Sequence, residues 1–417
     1  MFRFVHTADI HLDSPLRSLA LKDPKASDLV ANATRQSFSK TIDLCLDEKV
    51  DALIIAGDLY DGELRSMKTA EFFSSEMRRL VEAGIQAFII RGNHDAESRI
   101  TKELQLPDGV HVFPSRGDSI VLEEKEVVLH GVSFSNPQAP DSLLPSYPVK
   151  QSGYQNIGLL HTSLAGSPEH DTYAPCSLQN LLDMEYDYWA LGHIHKRAVH
   201  SHTPCAVVMP GIPQGRHINE SGVKTVTLAA ISPSGEITIE ERVTSLVQFE
   251  RLIIDLEGTN EWRDVVSASE AAFEKLIDSI QTPHVIARVT LNGITPLAGR
   301  LRRDADVILS ELREAARRSG YIFIEQCDQN CRVAPAKTEA ASVDPVSELS
   351  KLMAGQGIPL DRITTDTKAL LTDMQTKLPP ELRDAFEDPD GKLLEEYLSQ
   401  GADEIRARLE GTTGEAA

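Results

Sequence analysis

Five apolar runs of this chain each end at a short segment that carries aspartate, asparagine or histidine. The segments are Asp9-Ile10-His11, Gly57-Asp58, Gly92-Asn93-His94-Asp95, His161 in GLLHTS, and Gly192-His193-Ile194-His195. Each run has the composition of a β-strand, and ligand sites of α/β sheets collect at the carboxyl ends of strands. The pattern therefore predicts an α/β fold in which five strand ends converge on one crevice.

Apolar runs alternate with longer helical patterns up to residue 245, and the later part of this region is richer in strands. This order predicts two packed sheets flanked by helices. The predicted helices include Thr34–Glu48 and Met67–Ala83. The predicted strands are Phe2–His6, Ala52–Ala56, Ala87–Arg91, Val127–His130, Ile157–Leu160, Tyr188–Leu191, Val207–Met209 and Thr225–Ala229.

The rest of the chain divides into a small module, a linker and a C-terminal region. Residues 248–333 read as strand, helix, strand, helix and strand, which predicts an α+β module whose second helix covers Leu301–Arg318. Residues 334–344 read as a linker. Residues 345–417 contain leucine and methionine at helical spacing, which predicts a helical region. That region is either a pair of amphipathic helices that need a partner surface or a solvated tail.

The composition limits the class of protein. The formal net charge is -21, which is not the composition of a DNA binder that depends only on lysine and arginine. The substrate is therefore small, or metal ions and local basic patches supply the positive charge. No apolar run approaches the ~20 residues that span a membrane, the N-terminus lacks a signal-peptide pattern, and the five cysteines are scattered. We expect a cytoplasmic protein without disulfides and without a membrane partner.

The residue types at the five strand ends suit divalent cations. Carboxylate, imidazole and amide groups together favour manganese or iron, with zinc as an alternative, and the lack of a thiolate argues against a structural zinc site. Residues i and i+2 point the same way on extended backbone. Asp9 with His11, and His193 with His195, are therefore expected to face the site.

The order DxH, GDxxD, GNHD, a single histidine after a strand, and GHxH resembles the calcineurin-like metallophosphoesterase superfamily. Within it, HTADIHLDSPL, AGDLYD, RGNHD, LLHTS and LGHIHK are similar to the SbcD-type nucleases, and in particular to their bacterial YhaO-like branch. The motifs cover residues 1–245, which the resemblance implies to be a nuclease domain. The module at 248–333 sits where that family has its DNA-binding cap.

The resemblance also implies a role for each matching position. It implies two divalent metal ions, manganese first, with iron, magnesium or zinc as alternatives. Their ligands would be Asp9, His11 and His195 for one ion, Asn93, His161 and His193 for the other, and Asp58 for both. His94 would be the acid beside the leaving oxygen, and Asp95 would orient it.

Several further residues are candidates for contact with substrate. Asp61 stands where the archaeal and eukaryotic relatives usually carry histidine and where the bacterial branch carries aspartate. His170 and Tyr173 lie in a loop that either contacts substrate or packs over the rim of the site. Arg216, beside His217, is either a bidentate phosphate ligand or an ordinary surface arginine.

The small module is locally basic. Residues 284–335 contain eight arginines and six acidic residues, and Arg302 and Arg303 stand near the start of a predicted helix. The cluster is either a patch that binds phosphates or an ordinary solvated helix face.

The site chemistry alone does not choose between phosphoesters, because a fold does not determine a function. The resemblance implies a two-metal nuclease that hydrolyses phosphodiester bonds at DNA ends or unusual structures in DNA repair. It further implies an SbcC-like coiled-coil ATPase as partner of the C-terminal region, and a homodimer. The alternatives are a phosphomonoesterase or cyclic-nucleotide phosphodiesterase of the same superfamily, and a non-catalytic scaffold that binds DNA ends.

Overall fold

The computed structural model describes residues 1–14, 24–61, 67–97, 106–164, 173–333, 360–377 and 401. The predicted linker at 334–344, most of the C-terminal region, and His170 lie outside these residues.

The described residues form fifteen strands and eight α-helices. The strands are β1 Phe2–Thr7, β2 Ala52–Ala56, β3 Gln86–Ile90, β4 Val110–Val112, β5 Asp118–Leu122, β6 Val127–Gly131, β7 Gln155–His161, β8 Tyr188–Gly192, β9 Ala198–Ser201, β10 Ala206–Met209, β11 Thr225–Ile231, β12 Ile237–Val243, β13 Val247–Asp255, β14 His284–Ile294 and β15 Ile322–Arg332. The helices are α1 Pro24–Asp47, α2 Met67–Glu82, α3 Asn93–Glu97, α4 Leu178–Asp183, α5 Trp262–Ile277, α6 Ala298–Arg303, α7 Ala305–Ser319 and α8 Leu360–Lys377.

Two six-stranded sheets carry the main part of the fold. Their strand orders are β12-β11-β1-β2-β3-β4 and β5-β6-β7-β8-β10-β9. The central strands β1, β2 and β3 run parallel, and so do β6, β7, β8 and β10. The predicted architecture of two sheets flanked by helices is confirmed, and sequence reasoning missed the strands β4, β5, β9 and β12.

Both faces of the central strands are buried, which explains why their sequences are continuous apolar runs. In β2, Ile54 packs in the core between the two sheets, whereas Leu53 and Ile55 pack on the opposite face, in a core with Phe38 of α1 and Phe73 of α2. Burial of each such side chain stabilises the fold by about 1.5–3 kcal/mol. This packing holds the ends of β1, β2 and β3 side by side.

The chain divides into two compact units. Unit 1 comprises Met1–Arg251, Leu276–Arg288 and Tyr321–Glu325; unit 2 comprises Leu252–Lys275, Val289–Gly320 and Gln326–Ala417. All five strand-end segments belong to unit 1. The remaining strands form a sheet in the order β13-β14-β15. Unit 2 has buried side chains of its own on α5 and α7, among them Phe273 and Leu312.

The prediction of one helix over Leu301–Arg318 is wrong. The structure has two helices, α6 and α7, separated at Asp304, where φ is -101° and ψ is 36°. Arg300 and Arg303 donate hydrogen bonds to the Asp304 carboxylate.

In the C-terminal region the structure describes α8, which contains Leu371 and Met374 of the predicted helical pattern. Every helix within the described residues is too short or too polar to cross a membrane.

Candidate dinuclear metal centre

The polar segments lie together because they follow parallel strands. In the sheet that contains β1, the residues Asp9, Asp58 and Asn93 come after β1, β2 and β3. In the sheet that contains β7, His161 ends β7 and His193 follows β8. Parallel strands end at the same edge of a sheet, and the two edges meet, since His161 Nε2 lies 3.0 Å from Oδ1 of Asn93.

Within the described residues, three groups of side chains present ligand atoms that lie within 4.8 Å of one another. The groups are Asp9 with His11 and His195, His11 with Asp58 and His94, and Asp58 with His161 and His193. Asp58 occurs in two groups and His11 in two. Two adjacent ion sites that share a carboxylate would produce such an overlap.

His161 provides a direct test of whether a cation fits. In the neutral ring, Nδ1–H donates to the carbonyl of Ala56 at 2.9 Å, and Nε2 then carries a lone pair. That lone pair faces Oδ1 of Asn93 at 3.0 Å and Oδ2 of Asp58 at 3.4 Å. Three buried electron pairs at these distances repel one another unless a proton or a cation lies among them. The donors therefore fit a divalent ion.

His195 has the same arrangement on the other side of the site. Its Nδ1–H donates to Oε1 of Glu220 at 2.7 Å, so Nε2 keeps its lone pair, 3.3 Å from Nε2 of His11. A histidine that binds a metal commonly donates its other N–H to a carboxylate, which fixes the tautomer and the ring orientation. Glu220 is 8% exposed and lies in the short 3₁₀ turn Ile218–Glu220.

The backbone at these segments is strained. Asp9, His11, Asp58 and His193 have φ values of 51°, 45°, 51° and 102°. Left-handed backbone at residues other than glycine costs of order 1–3 kcal/mol each and persists at functional sites that the surrounding structure holds in place. The expectation of extended backbone was therefore wrong. Asp9 and His11 still share a group, but His193 and His195 belong to different groups.

Two positions require glycine, because neighbouring atoms lie too close to the backbone there to leave room for a side chain. A Cβ on Gly92 would lie 2.2 Å from Oδ1 of Asp58, and a Cβ on Gly192 would lie 2.0 Å from the carbonyl of Ala56. Both contacts are far inside the van der Waals limit, so a side chain at either position would displace the polar segments.

The charges of the site follow from burial and from the pairing of acids with imidazoles. Burial opposes ionisation of Asp58, but His161 and its neighbouring imidazoles hold the pKa of that carboxyl well below its usual range. Burial depresses the pKa of His11 far below the usual value. Burial alone would also lower the pKa of His161, but Asp58 and Asp9 raise it to about 9. A bound cation would replace the proton on His161.

His94 lies at the edge of the group, and its side chain is 40% exposed. Its backbone N–H donates to Oδ1 of Asp58 at 3.1 Å. Oδ1 of Asp61 is 3.4 Å from its Nδ1. The buried carboxylate of Asp95 accepts from the backbone amides of Leu59, Tyr60 and Gly92. Asp61 is thus beside the ring of His94, while Asp95 ties the loops after β2 and β3 together.

The other residues predicted to contact substrate lie in three parts of the structure. The ring of Tyr173 lies 5.3 Å from that of His193, centroid to centroid. Arg216 donates to Glu220 from Nη2 at 3.2 Å, and His217 Nε2 is 3.6 Å from the same oxygen. Arg302 and Arg303 belong to α6 in unit 2, where Arg302 donates to the carbonyl of Cys331 and Arg303 pairs with Asp304 at 2.9 Å.

Sequence reasoning missed Glu220 and Ser14. Glu220 carries a weak signal, since it stands four residues after Arg216. Ser14, which donates to Oδ2 of Asp61 at 2.7 Å, lies inside the motif HTADIHLDSPL, but the motif gives no role for its hydroxyl.

Comparison with known proteins gives two family matches. The Calcineurin-like phosphoesterase family matches residues 2–197, and the family "Metallophosphoesterase YhaO, middle domain" matches residues 249–332.

Three curated proteins show how the similarity is distributed. "Uncharacterized metallophosphoesterase YhaO" of Bacillus subtilis is 33% identical over 297 residues, which are 70% of this chain and 72% of that protein. "DNA double-strand break repair protein Mre11" of Sulfurisphaera tokodaii is 28% identical over 47% of this chain and 50% of its own length. A protein named as part of the nuclease SbcCD of Bacillus subtilis is 24% identical over 58% of this chain and 70% of its own length.

The family match, the extent of the YhaO match and the convergent donor groups agree with one another. Members of this family bind a dinuclear site of divalent metal ions. The chain belongs to the calcineurin-like metallophosphoesterase family.

Proposed function

We propose that this chain is a two-metal phosphodiesterase that hydrolyses DNA at ends or at unusual duplex structures. The observation that carries the proposal is the sharing of the buried Asp58 between two ligand groups, one of which includes His94. A shared carboxylate places two cations close enough to bind one phosphodiester from two sides.

In this proposal the two ions have separate ligands on either side of Asp58. Asp9, His11 and His195 would hold one ion, and Asn93, His161 and His193 would hold the other. Mixed carboxylate, imidazole and amide donors without a thiolate favour manganese, with iron, magnesium and zinc as alternatives.

The ions, when bound, would polarise the phosphoryl oxygens and lower the pKa of a bound water molecule toward neutral. The chain's own residues do the rest. His94 donates a proton to the leaving oxygen, a step that typically contributes ~10²–10⁴-fold to the rate. Asp61, whose Oδ1 lies 3.4 Å from Nδ1 of His94, orients the ring. Asp95 holds the loop that carries His94 through its three amide contacts.

The choice of DNA as substrate is supported by the relatives. Two of the matched proteins are named as a DNA double-strand break repair protein and as part of a nuclease. At a net charge of -21, the chain would bind a polyanion through the ions and local arginines such as Arg216 and Arg303. By the same relatives we propose a role in DNA repair, with 1–245 as nuclease domain, 248–333 as DNA-binding cap, and 345–417 as the surface for an SbcC-like ATPase. A homodimer is proposed on the same ground.

The test is hydrolysis of end-labelled linear duplex DNA by the purified chain, with manganese, iron, magnesium or zinc and with a chelator. A cyclic nucleotide and p-nitrophenyl phosphate are assayed in parallel, and the DNA assay is repeated with an SbcC-like ATPase from the same cell. We expect metal-dependent cleavage of DNA, and its loss in Asp58→Ala together with bound metal. Cleavage of only the small substrates would assign a phosphomonoesterase or cyclic-nucleotide phosphodiesterase instead. DNA-end binding without hydrolysis of any substrate would assign a scaffold.

A further inference from the structure

We propose that Ser14 is a positioning residue for His94, held in place by Arg216 and Glu220. This inference rests on the proposed function, because it assigns the proton donor of that reaction its orientation. A chain of hydrogen bonds runs Glu220, Arg216, Ser14, Asp61, and ends beside the ring of His94. It connects the side of the site that contains His195 with the side that donates the proton.

The series of hydrogen bonds begins at Glu220, a buried carboxylate that accepts three hydrogen bonds. Nδ1–H of His195 donates to Oε1 at 2.7 Å, Nη2 of Arg216 donates to the same oxygen at 3.2 Å, and the backbone N–H of Arg216 donates to Oε2 at 2.6 Å. A buried carboxylate is stable only when it is paired and hydrogen-bonded. These contacts therefore hold both the backbone and the guanidinium of Arg216 in one place.

The direction of the next two hydrogen bonds is determined by chemistry. Arg216 has no acceptor, so its Nη1 donates to Oγ of Ser14, at 3.4 Å. The single hydroxyl hydrogen of Ser14 is then free to donate to Oδ2 of Asp61, at 2.7 Å. This leaves Oδ1 of Asp61 to face Nδ1 of His94 at 3.4 Å. The hydroxyl of Ser14 thus fixes the orientation in which the Asp61 carboxylate faces the proton donor.

The backbone around Ser14 is held by contacts that do not involve its hydroxyl. Its N–H donates to the carbonyl of His11 at 3.0 Å. The neighbouring Asp13 accepts two hydrogen bonds from Arg35, and its backbone N–H donates to Thr34. Removal of the hydroxyl alone should therefore release Asp61 without displacing the turn that carries His11.

The experiment compares two phosphodiesters of thymidine that differ in their leaving group, the dinucleotide thymidylyl-thymidine and thymidine p-nitrophenyl phosphate. A sugar alkoxide needs a proton from a positioned acid, whereas p-nitrophenolate leaves without one. We expect Ser14→Ala to slow hydrolysis of the dinucleotide by about tenfold, a part of the effect of a general acid, and to leave the nitrophenyl ester within about twofold of wild type. Metal content by elemental analysis should stay at the wild-type value.

Ser14→Thr, which keeps the hydroxyl, should restore the dinucleotide rate. Ser269→Ala is the matched control, because Ser269 is also buried but donates to the carbonyl of Val265 within α5. Ser14→Cys, which replaces the hydroxyl with a weaker S–H donor, should reproduce the selective loss if Ser14→Ala does not fold.

Equal slowing of both esters, or no slowing of either, would overturn the role of Ser14. So would a loss of bound metal in Ser14→Ala, since the hydroxyl would then act on the ion site. The proposed function fails separately, if the wild-type protein cleaves neither linear duplex DNA nor either diester with any divalent ion.

Discussion

At the scale of single residues, the groups proposed to bind cations differ in burial from the group proposed to donate a proton. Asp58 and His161 are buried and paired with each other, whereas His94 is 40% exposed and lies beside Asp61. Buried donors are set in one protonation pattern by their neighbours, and an exposed imidazole can exchange a proton with water. The two kinds of residue should therefore respond differently to substitution.

The first prediction concerns His94. His94→Ala should keep both metal ions, because the ligand atoms of the two proposed sites do not depend on its ring, yet slow DNA cleavage by about 10²-fold or more. Elemental analysis of metal content beside the rate of cleavage measures both effects. Cleavage at a rate near that of wild type would remove His94 from the mechanism.

The second prediction concerns His6, whose ring is buried between Tyr188 and the carbonyl of Leu191. Burial lowers the pKa of His6 from 6.5 to about 3. Below pH 6.5 the unfolded chain binds a proton that the folded chain excludes, so His6 makes the free energy of unfolding fall as the pH drops toward 3. The slope is at most about 1.4 kcal/mol per pH unit.

His6→Gln keeps groups that can hydrogen-bond to the same partners but does not titrate. Urea unfolding at pH 7, 6 and 5 should show wild type losing stability faster than the variant as the pH falls. Parallel curves for the two proteins would show that His6 does not contribute to acid sensitivity.

At the scale of elements, the strand ends and the loops that follow them hold the site residues in place. The loops after β2 and β3 approach so closely that Gly92 has no room for a Cβ beside Asp58. The loop after β8 approaches β2 in the same way at Gly192. The direction of the carboxylates therefore depends on close packing of these loops as well as on the contacts that the carboxylates make.

The third prediction follows from this packing. Gly92→Ala should displace the carboxylate of Asp58, reduce bound metal below the wild-type content, and destabilise the protein by more than about 1 kcal/mol. Gly84→Ala is the control, because nothing lies within 4 Å of a Cβ there and only its φ of 79° opposes the substitution. Full metal content in Gly92→Ala would mean that the loop adjusts without cost to the site.

Most of these elements were predictable from the sequence, because apolar periodicity reports burial of a strand on one or both faces. The strands β1, β2 and β8 agree with prediction to within one residue at each end. The strands that were missed, such as β5 with the sequence DSIVL and β12 with ITIEERV, lie at or near sheet edges and are partly exposed. Their patterns are too mixed for composition alone to distinguish them from loops.

At the scale of the whole molecule, a chain of net charge -21 would have to bind DNA against the repulsion of its own negative charge. Arg303 on α6 is one candidate for local positive charge, since its side chain is 43% exposed although it pairs with Asp304. Arg302 is tied to the carbonyl of Cys331. A phosphate would have to compete with these internal partners.

The fourth prediction tests that competition. Affinity for duplex DNA should fall with salt, and Arg303→Ala or Arg302→Ala should weaken binding at low salt and reduce the salt slope by about one per lost phosphate contact. Arg79→Ala is the control, since Arg79 is 41% exposed in unit 1 and pairs with Asp43 and Glu76. Binding that does not vary with salt, or an equal effect of Arg79→Ala, would exclude the patch.

The sequence by itself determined the α/β class, the order of the polar segments and the donor types, because these depend on local periodicity and on residues next to strand ends. Only the tertiary structure decided which carboxylate lies beside His94, that Glu220 orients His195, and that Ser14 connects Arg216 to Asp61. Those contacts join residues 25 to 202 positions apart. Their geometry depends on strand order and loop packing, and no local pattern in the chain encodes it.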